Sequence, residues 1–130
     1  MKKQSPDVGQ WLKEAKDELA AARCGMFLIH NGIVRESARS QVREGNQNAP
    51  KVKSMFFDYD ETLVQKAINA TLERPGIEFV RVWLAQGELK LGDDIMYVLI
   101  GGDIRPHVID ALQDLVGTIK TKCVQEIERS

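Results

Sequence analysis

The sequence predicts an α+β domain in which helices cover a mixed sheet. Three observations lead there. Apolar residues recur at three- and four-residue steps over residues 7–23, 61–74 and 106–120, the spacing of a helix face. Short apolar or alternating runs of strand length lie between those segments. Glycine and proline punctuate the joints, at Gly25, Pro75-Gly76 and Gly101-Gly102. The predicted order is α-β-β-α-β-β-α, within a single domain spanning residues 1–130.

Each element has its own signal. Val8, Trp11, Leu12, Ala15, Leu19 and Ala22 give residues 7–23 one apolar face, with Asp7 as N-cap and Gly25 as stop. Residues 26–30 and 32–34 form a short apolar run, expected to be a strand buried on both faces. Residues 35–50 have almost nothing to bury and carry Arg35, Arg39 and Arg43, so they read as a long polar loop. Residues 52–59 alternate and are rich in aromatics, as a strand is.

Asp58 or Asp60 caps a helix over residues 61–74, with Leu63, Val64, Ala67, Ile68 and Leu72 inward and Pro75-Gly76 as its end. Residues 77–85 are a strand, 87–93 a turn region, and 94–100 a second strand with Ile95, Tyr97 and Leu99 opposite Met96, Val98 and Ile100. The unit 52–85 reads as a right-handed crossover. Pro106 fits a helix's first turn, and Val108, Ile109, Leu112, Leu115, Val116 and Ile119 form that helix's stripe. The helix ends near Lys120, and residues 121–130 add a short edge strand.

Composition excludes several classes. Eighteen Lys+Arg against nineteen Asp+Glu give a net charge of -1, which argues against a nucleic-acid coat protein. No apolar run is long enough for a bilayer, and the start has no apolar core behind Lys2-Lys3. A cytoplasmic protein with no membrane partner is expected. Cys24 and Cys123 lack metal-ligand spacing and are expected to be reduced thiols. No zinc pattern, P-loop, dinucleotide fingerprint or Ser/His/Asp set is present, so no metal or cofactor is expected.

Three features can carry chemistry. Gly101-Gly102-Asp103-Ile104-Arg105-Pro106 joins a strand to a helix N-terminus. It is either an anion site with Arg105 beside it, or a glycine turn with a surface arginine. Lys120 and Lys122 lie where the last helix gives way to the tail, as phosphate ligands, as a nucleophile or base, or simply as cations favoured by the helix dipole. Arg35, Arg39 and Arg43 either close over an anionic substrate or form solvated surface. His107 sits in a helix's first turn beside the anion site, whereas His30 reads as a hydrogen-bonded core histidine. From the residues alone, the candidate is a small-anion site of Arg35, Arg105 and Lys120.

The run Gly87-Glu88-Leu89-Lys90-Leu91-Gly92-Asp93-Asp94-Ile95 resembles the Gly-Glu-Leu-x-x-Gly-Asp turn and strand of the large, catalytic subunit of molybdopterin synthase. Gly32-Ile33-Val34-Arg35 resembles that family's first strand, which ends in glycine, valine and arginine before a flexible loop. Tyr59 with the helix after it, and Ile119-Lys120-Thr121 at the close of the last helix, follow in the family's order. The resemblance covers residues 24–128, and residues 1–23 read as an N-terminal helix extension.

The resemblance implies an α/β-hammerhead-like fold and sulfur transfer from a small ubiquitin-like partner. That partner's C-terminal Gly-Gly carries a thiocarboxylate, and the acceptor is a cyclic pyranopterin phosphate. It also implies a homodimer within a heterotetramer. By position it makes Lys120 catalytic and gives Arg35 and Arg105 to the pterin phosphate; Lys122 and His107, as stand-ins for family residues missing here, and Arg39, on the polar loop, are further substrate-binding candidates. This sequence departs from the family in its tail, where Cys123-Val124-Gln125-Glu126-Ile127-Glu128 has neither the family's tryptophan nor its second lysine. Ile104 stands where the family has the histidine of a His-Arg pair. A catalytically silent homologue that docks the partner or a pterin is the alternative, and a small-anion or nucleotide sensor built on residues 35–43 is a third.

Overall fold

The computed structural model describes residues 3–36 and 51–130. The expected polar loop, with Arg39 and Arg43, falls almost wholly outside the described residues. The architecture is α+β, built on two three-stranded sheets. In the first, β5 (Asp94–Gly102) lies between β1 (Met26–Ile33) and β3 (Ile77–Leu84). In the second, β2 (Ser54–Tyr59) lies between β4 (Gly87–Lys90) and β6 (Val124–Arg129).

Every pairing is antiparallel, so the expected mixed sheet and crossover are corrected. After β2 and its helix the chain returns beside β5, in the other sheet, so β2 and β3 are not neighbours. Residues 87–90, expected as turn, form β4 against β2. The tail forms the expected edge strand.

Alternation along β5 sets the layers. Met96, Val98 and Ile100 face one core, shared with helices α2 (Glu61–Leu72) and α3 (Arg105–Thr118). Leu99, with half-buried Tyr97, faces the other, where α1 (Val8–Lys16) lays down Trp11 and Ala15. Trp11 meets Tyr97 edge-on at 6.4 Å, and Arg81 stacks over Trp11 at 4.7 Å while pairing with Glu14. Among the described residues β1 has one strand neighbour, β5, and it is half-buried rather than buried on both faces.

The helices start as expected and pack with a shifted stripe. Asp7 accepts from Gln10 N at 3.1 Å, and Asp60, not Asp58, accepts from Leu63 N at 3.1 Å. The first helix stops at Lys16 because Glu18 turns extended, with φ -72° and ψ 148°. Residues Leu19–Arg23 then form a 3₁₀ turn out of phase, and Leu19 is 93% exposed. In α2, Val64, Ala67 and Thr71 face the core, and Leu63 and Leu72 lie on the stripe's exposed edges. The Thr71 hydroxyl is satisfied by the Ala67 carbonyl at 2.8 Å. In α3, Val108, Ala111 and Leu115 are buried and Ile109 is exposed.

Candidate functional site

The last helix does not simply stop. Beyond Thr118, residues Ile119–Cys123 form a π turn, with Ile119 and Cys123 buried. Such turns commonly mark functional positions, because the extra residue re-aims the side chains around it. Here the turn delivers Lys120, 25% exposed, to the seam between the two sheets.

Arg35 reaches the same seam by a different route. Val34 N donates to the Asp93 carbonyl at 3.0 Å, and Gly92 N donates to the Val34 carbonyl at 2.8 Å. Gly92 has φ +83°, which a side chain disfavours. The Gly-Glu-Leu-x-x-Gly-Asp run thus clamps the end of β1, and the next residue, Arg35, emerges into a cleft shared with Lys120, Met55 and Ile95. The volume is 40 Å³, room for about three waters or one group of phosphate size, at roughly 10–15 Å³ per water.

The opposite wall is β6, and its register decides the cleft's charge. Glu126 pairs with Phe57 and Glu128 with Met55, both buried, so the two carboxylates lie on the inward face of the sheet. Ile127 lies outward, 39% exposed. Both glutamates line the cleft with Arg35 and Lys120. The Glu126 side chain is only 9% exposed, and its Oε1 lies 3.9 Å from Lys120 Nζ. Two cations and two carboxylates therefore share one small cleft. Neither glutamate is singled out by composition or by the family motifs. The signal was the alternation Val124, Glu126, Glu128 against Ile127.

Sequence reasoning also misjudged His30. It shares a face of β1 with Met26 and Leu28 and looks toward α3. Its Nε2 is buried and has no hydrogen-bond partner among the described residues, so it is not the satisfied core histidine expected. An unsatisfied buried polar atom of this kind costs about 1–3 kcal/mol. Burial, and then the charge of Lys120, hold its pKa below the ordinary histidine value. His30 and Lys120 line a groove of 270 Å³ along α3, with Leu112, Val116 and Gly117.

The remaining candidates lie elsewhere. Arg105 and His107 stand at the N-terminal end of α3, fourteen residues long and so roughly 21 Å from the π turn. Within one chain the structure does not bring them to Lys120. The expected anion site there is already met by a carboxylate. Asp103 accepts from Ile104 N at 2.6 Å, and its Oδ1 lies 2.7 Å from His107 Nδ1. The His107 bond, chiefly, holds the Asp103 carboxyl below its usual range. Lys122 lies in a separate hollow with Asp58, Asp60 and Gln125. Arg39 is outside the described residues. Burial raises both cysteine thiols above their ordinary pKa, which keeps them protonated. No cluster of metal-ligating side chains occurs among the described residues, and no described helix is long and apolar enough to cross a membrane.

The sequence matches the profile of the MoaE protein family over residues 2–122. The chain belongs to the MoaE family. No curated protein is similar enough to match it. Among solved structures, a molybdopterin synthase from Staphylococcus aureus superposes with TM-score 0.73 at 15% identity, over 97% of this chain and 86% of that one. A molybdopterin biosynthesis MoaE protein from Burkholderia ambifaria gives 0.72 at 17% identity, over 95% and 76%. A chain from the complex of subunits 1 and 2 of molybdopterin-converting factor from Helicobacter pylori gives 0.66 at 16%, over 95% and 79%. At these identities the structures establish a shared fold. In this MoaE family member Arg35 and Lys120 line one cleft together with two carboxylates, Glu126 and Glu128.

Proposed function

We propose that this MoaE protein is the large subunit of a molybdopterin synthase and acts in molybdenum cofactor biosynthesis. The carrying observation is the convergence of Arg35 and Lys120 from distant parts of the chain on one cleft. Arg35 binds the phosphate of the cyclic pyranopterin. Lys120, as an ammonium, holds the thiocarboxylate of a small ubiquitin-like partner and stabilises charge as its sulfur bonds to the pterin. The partner's acyl carbon then passes to water and leaves as a carboxylate. Arg105 and His107, at the far end of α3, and Lys122, in its own hollow, do not reach this cleft within one chain, so on this reading the substrate is held first by Arg35 and Lys120. The large subunits pair as a homodimer within a heterotetramer.

One observation favours a second reading. Glu126 and Glu128 offset the charge of Arg35 and Lys120, as a protein that docks the partner without turning over a phosphorylated pterin would tolerate.

Reconstitution separates the two. Purified protein is mixed with the thiocarboxylated partner from the same genome and the cyclic pyranopterin phosphate, and molybdopterin is read as its fluorescent oxidation product. Product that falls at least a hundredfold in Lys120→Ala is the expected result. A stable complex with the partner but no product would overturn the enzyme reading in favour of docking.

A further inference from the structure

Lys120 separates two hollows of opposite character. The cleft on the sheet side contains Glu126 and Glu128. The groove on the α3 side, 270 Å³ in volume, has no acidic side chain in its wall among the described residues. Of these two hollows, the α3 side is the one from which a chain ending in an anion reaches Lys120 without meeting a carboxylate of the described residues. The groove's shape suits an extended tail. Leu112 and Val116 give it an apolar wall, and at Gly117 a Cβ would meet nothing within 4 Å, so a peptide backbone can lie close to the helix. His30 is the polar group of the β1 wall, and its buried ring nitrogen has no partner among the described residues.

We propose that His30 is a positioning residue that receives the last residues of the partner's C-terminal tail in the α3 groove and so sets its terminal carboxyl group against Lys120. The inference rests on the function proposed above. A neutral imidazole can donate to or accept from the tail's final amide groups without adding a second positive charge beside Lys120. A turn of the ring about its last bond exchanges which of its edges faces the groove, so the inward nitrogen can be brought to the tail.

The test uses the whole protein and two forms of the purified small partner, one with its C-terminal Gly-Gly and one with those two residues removed. Calorimetry gives both affinities for the wild type, His30→Phe, His30→Gln and Gly117→Val. We expect the wild type to bind the complete partner at least tenfold more tightly than the shortened one. His30→Phe and Gly117→Val lose about tenfold for the complete partner and nothing for the shortened one, while His30→Gln, which keeps a hydrogen-bonding group, restores most of the loss. Gly117→Val fills the groove from the helix side, so it decides the matter if His30→Phe fails to fold. Equal losses for both partner forms would make His30 merely structural and overturn the inference. Full affinity in both His30→Phe and Gly117→Val would overturn it too, with the proposed function left standing. Failure of the wild type to bind either partner form would overturn that function and the inference with it.

Discussion

Lys120 Nζ lies 3.9 Å from Glu126 Oε1, inside ion-pair range but beyond hydrogen-bond reach. On the function proposed above, the pair sits where a phosphorylated substrate is held, and the carboxylate competes with it for the same ammonium. At this distance a charge pair is worth about 1 kcal/mol in water and about 4 kcal/mol near a protein surface, and the exposure of Lys120 favours the lower figure. Glu126→Gln is expected to tighten inorganic phosphate at the Arg35–Lys120 cleft about fivefold, the equivalent of about 1 kcal/mol. Titration calorimetry at low ionic strength measures it. Unchanged affinity would show that Glu126 does not govern the charge Lys120 presents.

Stability is expected to fall in mild acid because of His30. Its folded pKa is depressed below the ordinary 6.5, first by burial and then by Lys120. Above pH 6.5 the residue is neutral folded or unfolded and the two states bind equal protons. Below it the unfolded chain takes up a proton that the folded protein resists, so stability declines as pH falls toward the folded pKa. Melting temperatures of wild type and His30→Gln, compared from pH 7.5 to 5, should diverge only below about 6.5, with the variant falling less. Parallel curves would place the acid sensitivity in other groups.

The fold was legible wherever one periodicity acted alone. Alternation along β5 separates Met96, Val98 and Ile100 from Ile95, Tyr97 and Leu99 in the sequence, and the two cores divide along that line from Met96 onward, while Ile95, at the start of the strand, joins the core of Met96. Sheet membership was not legible, because β2 and β3 read alike whether they pair with each other or with different partners. At the site, Arg35 and Lys120 could be found from family motifs. Glu126 and Glu128 could not, since a charged residue on an edge strand normally points to water. Only the pairing of β6 with Met55 and Phe57 turns them inward. His30 was misjudged because an apolar neighbourhood says nothing of whether a ring nitrogen finds a partner.

Two glycines are expected to respond in opposite ways. Gly76 has φ +83°, and a Cβ there would run into the Asp103 carboxylate and the His107 ring. Gly76→Ala should cost about 2 kcal/mol and lower the melting temperature by several degrees. Gly117 lies near the end of α3, where a Cβ meets open space. Gly117→Ala should gain about 0.5–1 kcal/mol through helix propensity. Thermal or urea unfolding of the pair checks both signs. A neutral Gly76→Ala would mean that the turn relaxes away from Asp103.

The N-terminal segment ties the two sheets together through one lysine. Lys3 Nζ donates to the Tyr59 hydroxyl at 2.9 Å and to the Leu84 carbonyl at 2.6 Å, on β2 and β3 respectively. It also lies 4.9 Å from the Tyr59 ring centre and 5.4 Å from that of Trp83. Ser5 Oγ follows with a bond to Asp94 at 2.6 Å. Hydrogen bonds from a charged donor are worth about 1.5–3 kcal/mol, and a partly exposed cation over an aromatic ring about 0.5–1 kcal/mol. Ordering a terminal segment offsets part of that gain. Lys3→Met keeps the stem's packing and removes the charge and the donors, so a net loss of about 1–2 kcal/mol is expected in urea unfolding. Lys3→Arg should recover the ring contacts but not both short bonds, and fall between the two. Because Tyr59 and Leu84 lie in different sheets, weakening this tie should also speed amide exchange along β3, which among the described residues pairs on one side, more than along β5, which is flanked on both sides. Equal exchange in both strands would mean that the seam is held without Lys3.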